Sequence, residues 1–213
     1  MKSFSHATFY FFLAAVMFCL SSCSKQVVLL PLDKAASEIT IQSLSVLPVE
    51  IAGTDKEVSH TVSQQLTEGA VVLKSSIKDI FQDKDGVSYL FPGQTEPLLG
   101  DFHGSNHEPA LHIGKKIEAD AVLTLRLLRY INREGKTYST SQPASVSFEY
   151  SLIHVATGKI LCTGLFDETQ ESLFSNLFSF KQASKRGFKW ITARELMMEG
   201  LKEKFKDCQF LRQ

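Results

Sequence analysis

The chain has 213 residues, 44% hydrophobic and 22% charged, a composition that excludes wholesale disorder. Its 23 basic and 23 acidic residues cancel, which argues against a dedicated nucleic-acid binder, since such a protein carries a basic excess. Four cysteines are too few for a disulfide-built scaffold of this length.

Lys2 is the only charged residue before Lys25, and Phe9 to Leu20 is an almost unbroken apolar run. Twelve helical residues reach about 18 Å, short of the ~30 Å hydrocarbon core of a bilayer. A basic start, a short apolar stretch and small residues after it predict a secretory signal rather than a membrane span. The stretch Leu20-Ser21-Ser22-Cys23 resembles the lipobox of bacterial lipoproteins. That resemblance implies cleavage after residue 22, acylation of Cys23 and a bilayer as the first partner of the mature chain. Several acyl chains give stable anchoring where a single one is marginal. Ser24, in place of an aspartate, implies the outer membrane and its periplasmic face. Residues 1–22 are thus read as a signal peptide, 23–38 as the lipidated cysteine with a short connector, and 39–213 as a single α/β domain. The connector carries Val27, Val28, Leu29, Leu30 and Leu32, which suit an edge strand or a segment lying on lipid.

Ile39 to Ile51 is rich in aliphatic and β-branched residues and reads as a first strand. Val58, Val62, Leu66, Gly69, Leu73, Ile77 and Ile80 recur every three or four residues, which predicts a helix over 56–82 with Asp55 as N-cap. Gly69 is a point where that helix could divide in two. Val87 to Phe91 reads as a short strand, and 92–107 as loop on its Gly, Pro, Asp and Asn content. Ser105 to Glu108 has capping-box spacing ahead of a helix that runs to Ala119. Ala121, Leu123, Leu125 and Leu127, alternating with Val122, Thr124 and Arg126 on the other side, predict a half-buried strand. Val146, Phe148, Tyr150 and Leu152, alternating with serines and Glu149, predict another within 144–155. Thr157-Gly158 signals a hairpin, and 160–166 is the returning strand. Thr192 to Glu195 spells a capping box, with Ile191 and Leu196 as its hydrophobic staple. The helix that follows packs Leu196, Gly200, Leu201, Phe205 and Cys208. The expected fold is α/β (α+β): a mixed sheet of about five strands ending in an antiparallel meander, packed by a long, a short and a carboxyl-terminal helix.

Three stretches, Ser45–Pro48, Ile113–Leu123 and Val155–Leu161, resemble the domain shared by the curli-secretion lipoprotein, the lipoprotein activators of peptidoglycan synthases and the TolB amino-terminal domain. In the helix-to-strand joint, Gly114 would allow close helix–sheet approach and Asp120 would close the helix. The resemblance implies an envelope protein that works through contacts with other proteins. The 144–166 hairpin is short and alternates like a sheet with one face on helices, so a membrane pore is not expected.

No phosphate-binding glycine loop, nucleophile elbow or zinc-protease motif occurs, and no cofactor is expected. Asp101, His103, His107 and His112 are metal-like residue types, but their spacing matches no standard site and they read as solvated loop residues, with no metal. Cys162 and Cys208 stand either as a disulfide, which an oxidising compartment permits, or as two buried thiols. The segment 171–190 holds Phe174 and Phe178 at helical spacing, then Lys181, Lys185, Arg186 and Lys189. It reads either as a lid whose aromatics fill the core or as a surface for lipid or a partner. The functional expectation is a non-enzymatic, membrane-anchored accessory or scaffold protein with an envelope protein partner or self-association, and no nucleic acid. A subunit of an oligomeric secretion or transport assembly is the second reading, and a metal-dependent or hydrolytic enzyme around 101–112 the third.

Overall fold

A computed structural model describes residues 39–53, 60–136, 139–170 and 189–212. The chain divides into Met1–Thr40 and Ile41–Gln213, and every element described belongs to the second unit. Its order is β1 (Leu44–Val46), β2 (Glu50–Ile51), α1 (His60–Ile80), β3 (Val87–Tyr89), α2 (Pro92–Leu99), α3 (Glu108–Lys116), β4 (Ala121–Ile131), β5 (Glu134–Lys136), β6 (Ser139–Gln142), β7 (Ser145–His154), β8 (Ile160–Thr169) and α4 (Ala193–Lys206). The main sheet runs β3-β1-β4-β7-β8, with β2 also on β4, while β5 and β6 form a separate ribbon. β1 is parallel to β3 and β4, whereas β4–β7 and β7–β8 are antiparallel. The expected mixed sheet with a closing antiparallel meander is therefore present.

The first strand is shorter than its aliphatic run predicts. Leu47 donates to the Leu123 carbonyl at 3.0 Å, and the next chain-to-β4 bond outside the strands is Ala52 to Leu127 at 2.9 Å. Pro48 lies between them, and the strand divides there into β1 and β2 on the same neighbour.

Two apolar clusters flank the sheet. The larger joins Leu66, Leu73 and Ile77 of α1 and Leu196, Met197 and Leu201 of α4 to Leu123, Leu125, Phe148 and Leu152. Side chains this completely enclosed each contribute about 1.5–3 kcal/mol through burial. The smaller places Ala110 and Ile113 of α3 over Val122, Ile153 and Val155. Val122, expected on the polar side of β4, is thereby fully buried. Further along that side the sheet becomes polar, and Arg126 pairs with Glu149 at 3.4 Å.

The long helix runs unbroken through Gly69. A Cβ there would lie 2.5 Å from Tyr130 Cβ and 2.8 Å from Leu127 Cδ2, so glycine serves close approach to β4 and not a division of the helix. Val62, expected on the packed face, is 44% exposed. Residues 92–99, expected as loop, form α2. Pro92 occupies its first turn, where a missing N–H costs nothing, and the Gln94 side chain accepts from Phe91 N at 2.9 Å. The β5–β6 ribbon has no counterpart in the sequence reading.

The helix-to-strand joint works differently from expectation. Gly114 does sit against the sheet, since a Cβ there would lie 2.7 Å from Val155 Cγ2. The helix, however, is closed by Glu118, not Asp120. Ala119 N donates to Gly114 O at 3.1 Å and Glu118 N to Lys115 O at 3.4 Å, the paired bonds of a Schellman motif, with Glu118 at φ 53°. Asp120 instead gathers the approach to β1: its Oδ2 accepts from Gln42 N and Ser43 N, both at 2.9 Å, while Ser43 Oγ accepts from Asp120 N at 2.8 Å. Those backbone bonds to Ser43 and Gln42 hold its carboxyl below the ordinary carboxylate range.

Candidate interaction surface

Cys23 and the rest of the 23–38 connector lie outside the described residues, as do the expected N-cap Asp55, Val58, Phe174, Phe178, Lys181, Lys185 and Arg186; Lys189 is described and exposed. The structure brings Cys162 of β8 and Cys208, just past α4, together with Cα atoms 5.8 Å apart. That separation lies inside the bridging range. Cys208 is almost wholly enclosed, in the large cluster that Cys162 packs against.

The residues with metal-like side chains go separate ways. Asp101 and His103 are exposed, and His107 precedes α3 without capping it through its side chain. His112 stacks on Phe102 with centroids 4.3 Å apart and planes 14° from parallel. Among the described residues, no three or more His, Cys, Asp or Glu side chains gather where they could hold an ion.

The described chain on either side of residues 171–188 is joined at one residue that carries no sequence signal. Gln170 N donates to Ala144 O at 2.9 Å, continuing the β7–β8 pairing. Its side-chain Nε2 donates to Lys189 O at 2.9 Å, and its Oε1 accepts from Ile191 N at 2.9 Å. One buried carboxamide thus ties the chain leaving β8 to the chain entering α4. The predicted capping box follows at once: Thr192 Oγ1 accepts from Glu195 N at 3.2 Å and Glu195 Oε2 accepts from Thr192 N at 2.7 Å. The Thr192 N–H and, at 2.9 Å, the Thr192 hydroxyl both donate to the Glu195 carboxylate and hold it below its ordinary range. Asn132, at the end of β4, accepts from Ala193 N at 3.2 Å and locks the helix start to the sheet. Nothing in the sequence marks Gln170 or Asn132, because their partners lie 19 to 61 residues away.

β8 ends the sheet; among the described residues its only strand partner is β7. Its Ile160 and Leu165 are 49% and 54% exposed. The strand carries neither proline nor lysine, the residues that commonly blunt a sheet edge.

No family model and no curated protein sequence matches the chain. Solved structures similar to it include the PelC dodecamer from Paraburkholderia phytofirmans, with TM-score 0.47 and 11% identity over 79% of this chain and 88% of that one. The LpoB carboxyl-terminal domain from Salmonella enterica gives 0.38 and 14%, over 64% and 89% of the two chains. Lipoprotein GNA1162 from Neisseria meningitidis gives 0.38 and 15%, over 68% and 97%. At these identities and scores the likenesses assign neither family nor activity to this chain.

Proposed function

We propose that the chain is a non-enzymatic envelope lipoprotein, acylated on Cys23 and held at the periplasmic face of the outer membrane, that acts as an accessory or scaffold through protein contacts. The observation that carries this reading is the cysteine pair. Cys162 and Cys208 come from different elements and meet at bridging distance, which suits an oxidising compartment. The lipobox-like Leu20–Cys23 supplies the anchor and the route to that compartment. Acyl chains would confine the folded unit to a thin layer and raise its effective concentration for a membrane-bound partner. Phe174, Phe178, Lys181, Lys185, Arg186 and Lys189 are the proposed contact residues; in sequence they follow Gln170, whose side chain bonds Lys189 O and Ile191 N.

A second reading, a subunit of an oligomeric assembly, draws on the edge strand β8 with its exposed Ile160 and Leu165. Cross-linking in intact envelopes separates the two: one heterologous adduct supports the accessory role, and a ladder of self-adducts supports the assembly. Anchoring itself is tested by growing cells on labelled palmitate. Label is expected on the wild-type chain and not on Cys23→Ser. An unlabelled wild-type chain, or its release by osmotic shock, refutes the anchor.

A further inference from the structure

A basic and apolar patch lies beside β3, at the opposite end of the sheet from β8. Val71, Lys74 and Lys78 of α1 follow one another at helical spacing and share one stripe. Val71 is 66% exposed, although Val72 and Leu73 beside it are buried. Where β3 leads into α2, Phe91 is 48% exposed. Lys74 Nζ stands 3.7 Å from the centroid of the Phe91 ring, and Lys78 Nζ lies 5.3 Å from that of Tyr89 and 5.9 Å from that of Phe91.

Among the described residues neither ammonium has a carboxylate at ion-pair distance, and the two sit four residues apart on one helix, where like charges repel. Burial, and then the charge of Lys78, lower the Lys74 ammonium from the ordinary lysine range. Among the described residues ring faces are the partners these cations have, and ring faces do not neutralise charge. An incoming anion would relieve the repulsion. A fully hydrated polyanion would do so but leave Val71 and Phe91 in water. A bilayer surface supplies both needs, phosphate for the lysines and the headgroup–acyl boundary for the two apolar side chains.

We infer that the Val71–Lys74–Lys78–Phe91 patch docks on anionic phospholipid headgroups, so that the folded unit lies against the bilayer with α1 and the β3–α2 junction facing it. The inference rests on the proposed anchoring for its occupant, and its test is read without the anchor. The mature chain, residues 23–213, carrying Cys23→Ser is sedimented with vesicles of phosphatidylcholine and phosphatidylglycerol mixed three to one, and with vesicles of phosphatidylcholine alone. Binding is expected to the anionic vesicles only. Adding Lys74→Gln and Lys78→Gln should lower partitioning about twenty-fivefold, since each lysine near an anionic surface contributes about fivefold. Lys74→Arg with Lys78→Arg should restore it, and Phe91→Ser should weaken it with the melting temperature unchanged.

Unchanged partitioning of the double glutamine variant overturns the inference, as does equal binding to neutral vesicles or an affinity for soluble polyglutamate that matches the affinity for vesicles. Palmitate labelling of the wild-type chain is a separate readout. A labelled chain whose patch variants bind normally refutes the patch and leaves the anchor standing. An unlabelled chain refutes the anchor alone.

Discussion

Breaking the proposed Cys162–Cys208 bridge tests both the packing of α4 and the compartment. The cysteines are 46 residues apart in sequence. In the chain-entropy treatment, closing a loop of that length removes about 4 kcal/mol of denatured-state freedom. At roughly 2–4 °C per kcal/mol for a chain of this size, reduction should lower the melting temperature by about 8–16 °C. The loss should concentrate on α4, because Cys208 follows the turn that packs Phe205 on Tyr150 and Phe81, with ring centroids 5.1 and 5.7 Å apart. The assay is thermal unfolding followed by circular dichroism, with and without reductant, on the wild-type chain and on Cys162→Ala/Cys208→Ala. Alanine is chosen because a hydroxyl at the enclosed position 208 would bury an unpaired polar group. Reductant should destabilise the wild-type chain and leave the double variant unaffected. A wild-type melting temperature indifferent to reductant, together with two free thiols by mass spectrometry of unreduced protein, refutes the bridge and removes the structural support for an oxidising compartment.

Other consequences are as direct. Glu118→Gly should raise stability by about 1 kcal/mol, because glycine takes the left-handed backbone of Glu118 without the Cβ penalty; a lower midpoint in urea refutes this account of the helix end. Asp120 has a folded-state pKa depressed by its bonds to Ser43 and Gln42, so its contribution is present above the unfolded carboxylate value, near 4, and is lost as pH falls through the folded one. Asp120→Asn should therefore be less stable than wild type at neutral pH and flatten the acid limb of the stability profile; an unchanged acid limb counts against it. Gln170→Ala should cost about 1–3 kcal/mol, because it strips a donor from Lys189 O and an acceptor from Ile191 N in partly buried surroundings. Hydrogen exchange should then rise at Ile191, and an unchanged rate there refutes the clamp.

The reach of the sequence follows the range of the forces that shape each element. The three-to-four spacing of Leu66, Gly69, Leu73, Ile77 and Ile80, the alternation of β7 and the Thr192–Glu195 box are contacts between near neighbours, and within the described residues each appears where the sequence places it. Even α2 carried a local sign, proline at a first helical turn, but the surrounding Gly and Pro outweighed it. Longer-range features needed the folded chain. Val122 is polar-side by alternation and buried by α3, and Gly69 is a helix weakness by propensity and a contact point by packing. Asp120 reaches Ser43 across 77 residues, and Cys162 meets Cys208 across 46. The sequence by itself determined three of the four described helices, the alternating strands and the capping box, along with a signal-like start and a lipobox-like cysteine. Tertiary structure decided strand order, which glycine and which carboxylate hold the joints, that two cysteines meet, and that Lys74 and Phe91 share a surface. The physical reason is that periodicity and capping are read within one or two turns of chain, whereas partners across the sheet are chosen only when the whole chain closes on its core.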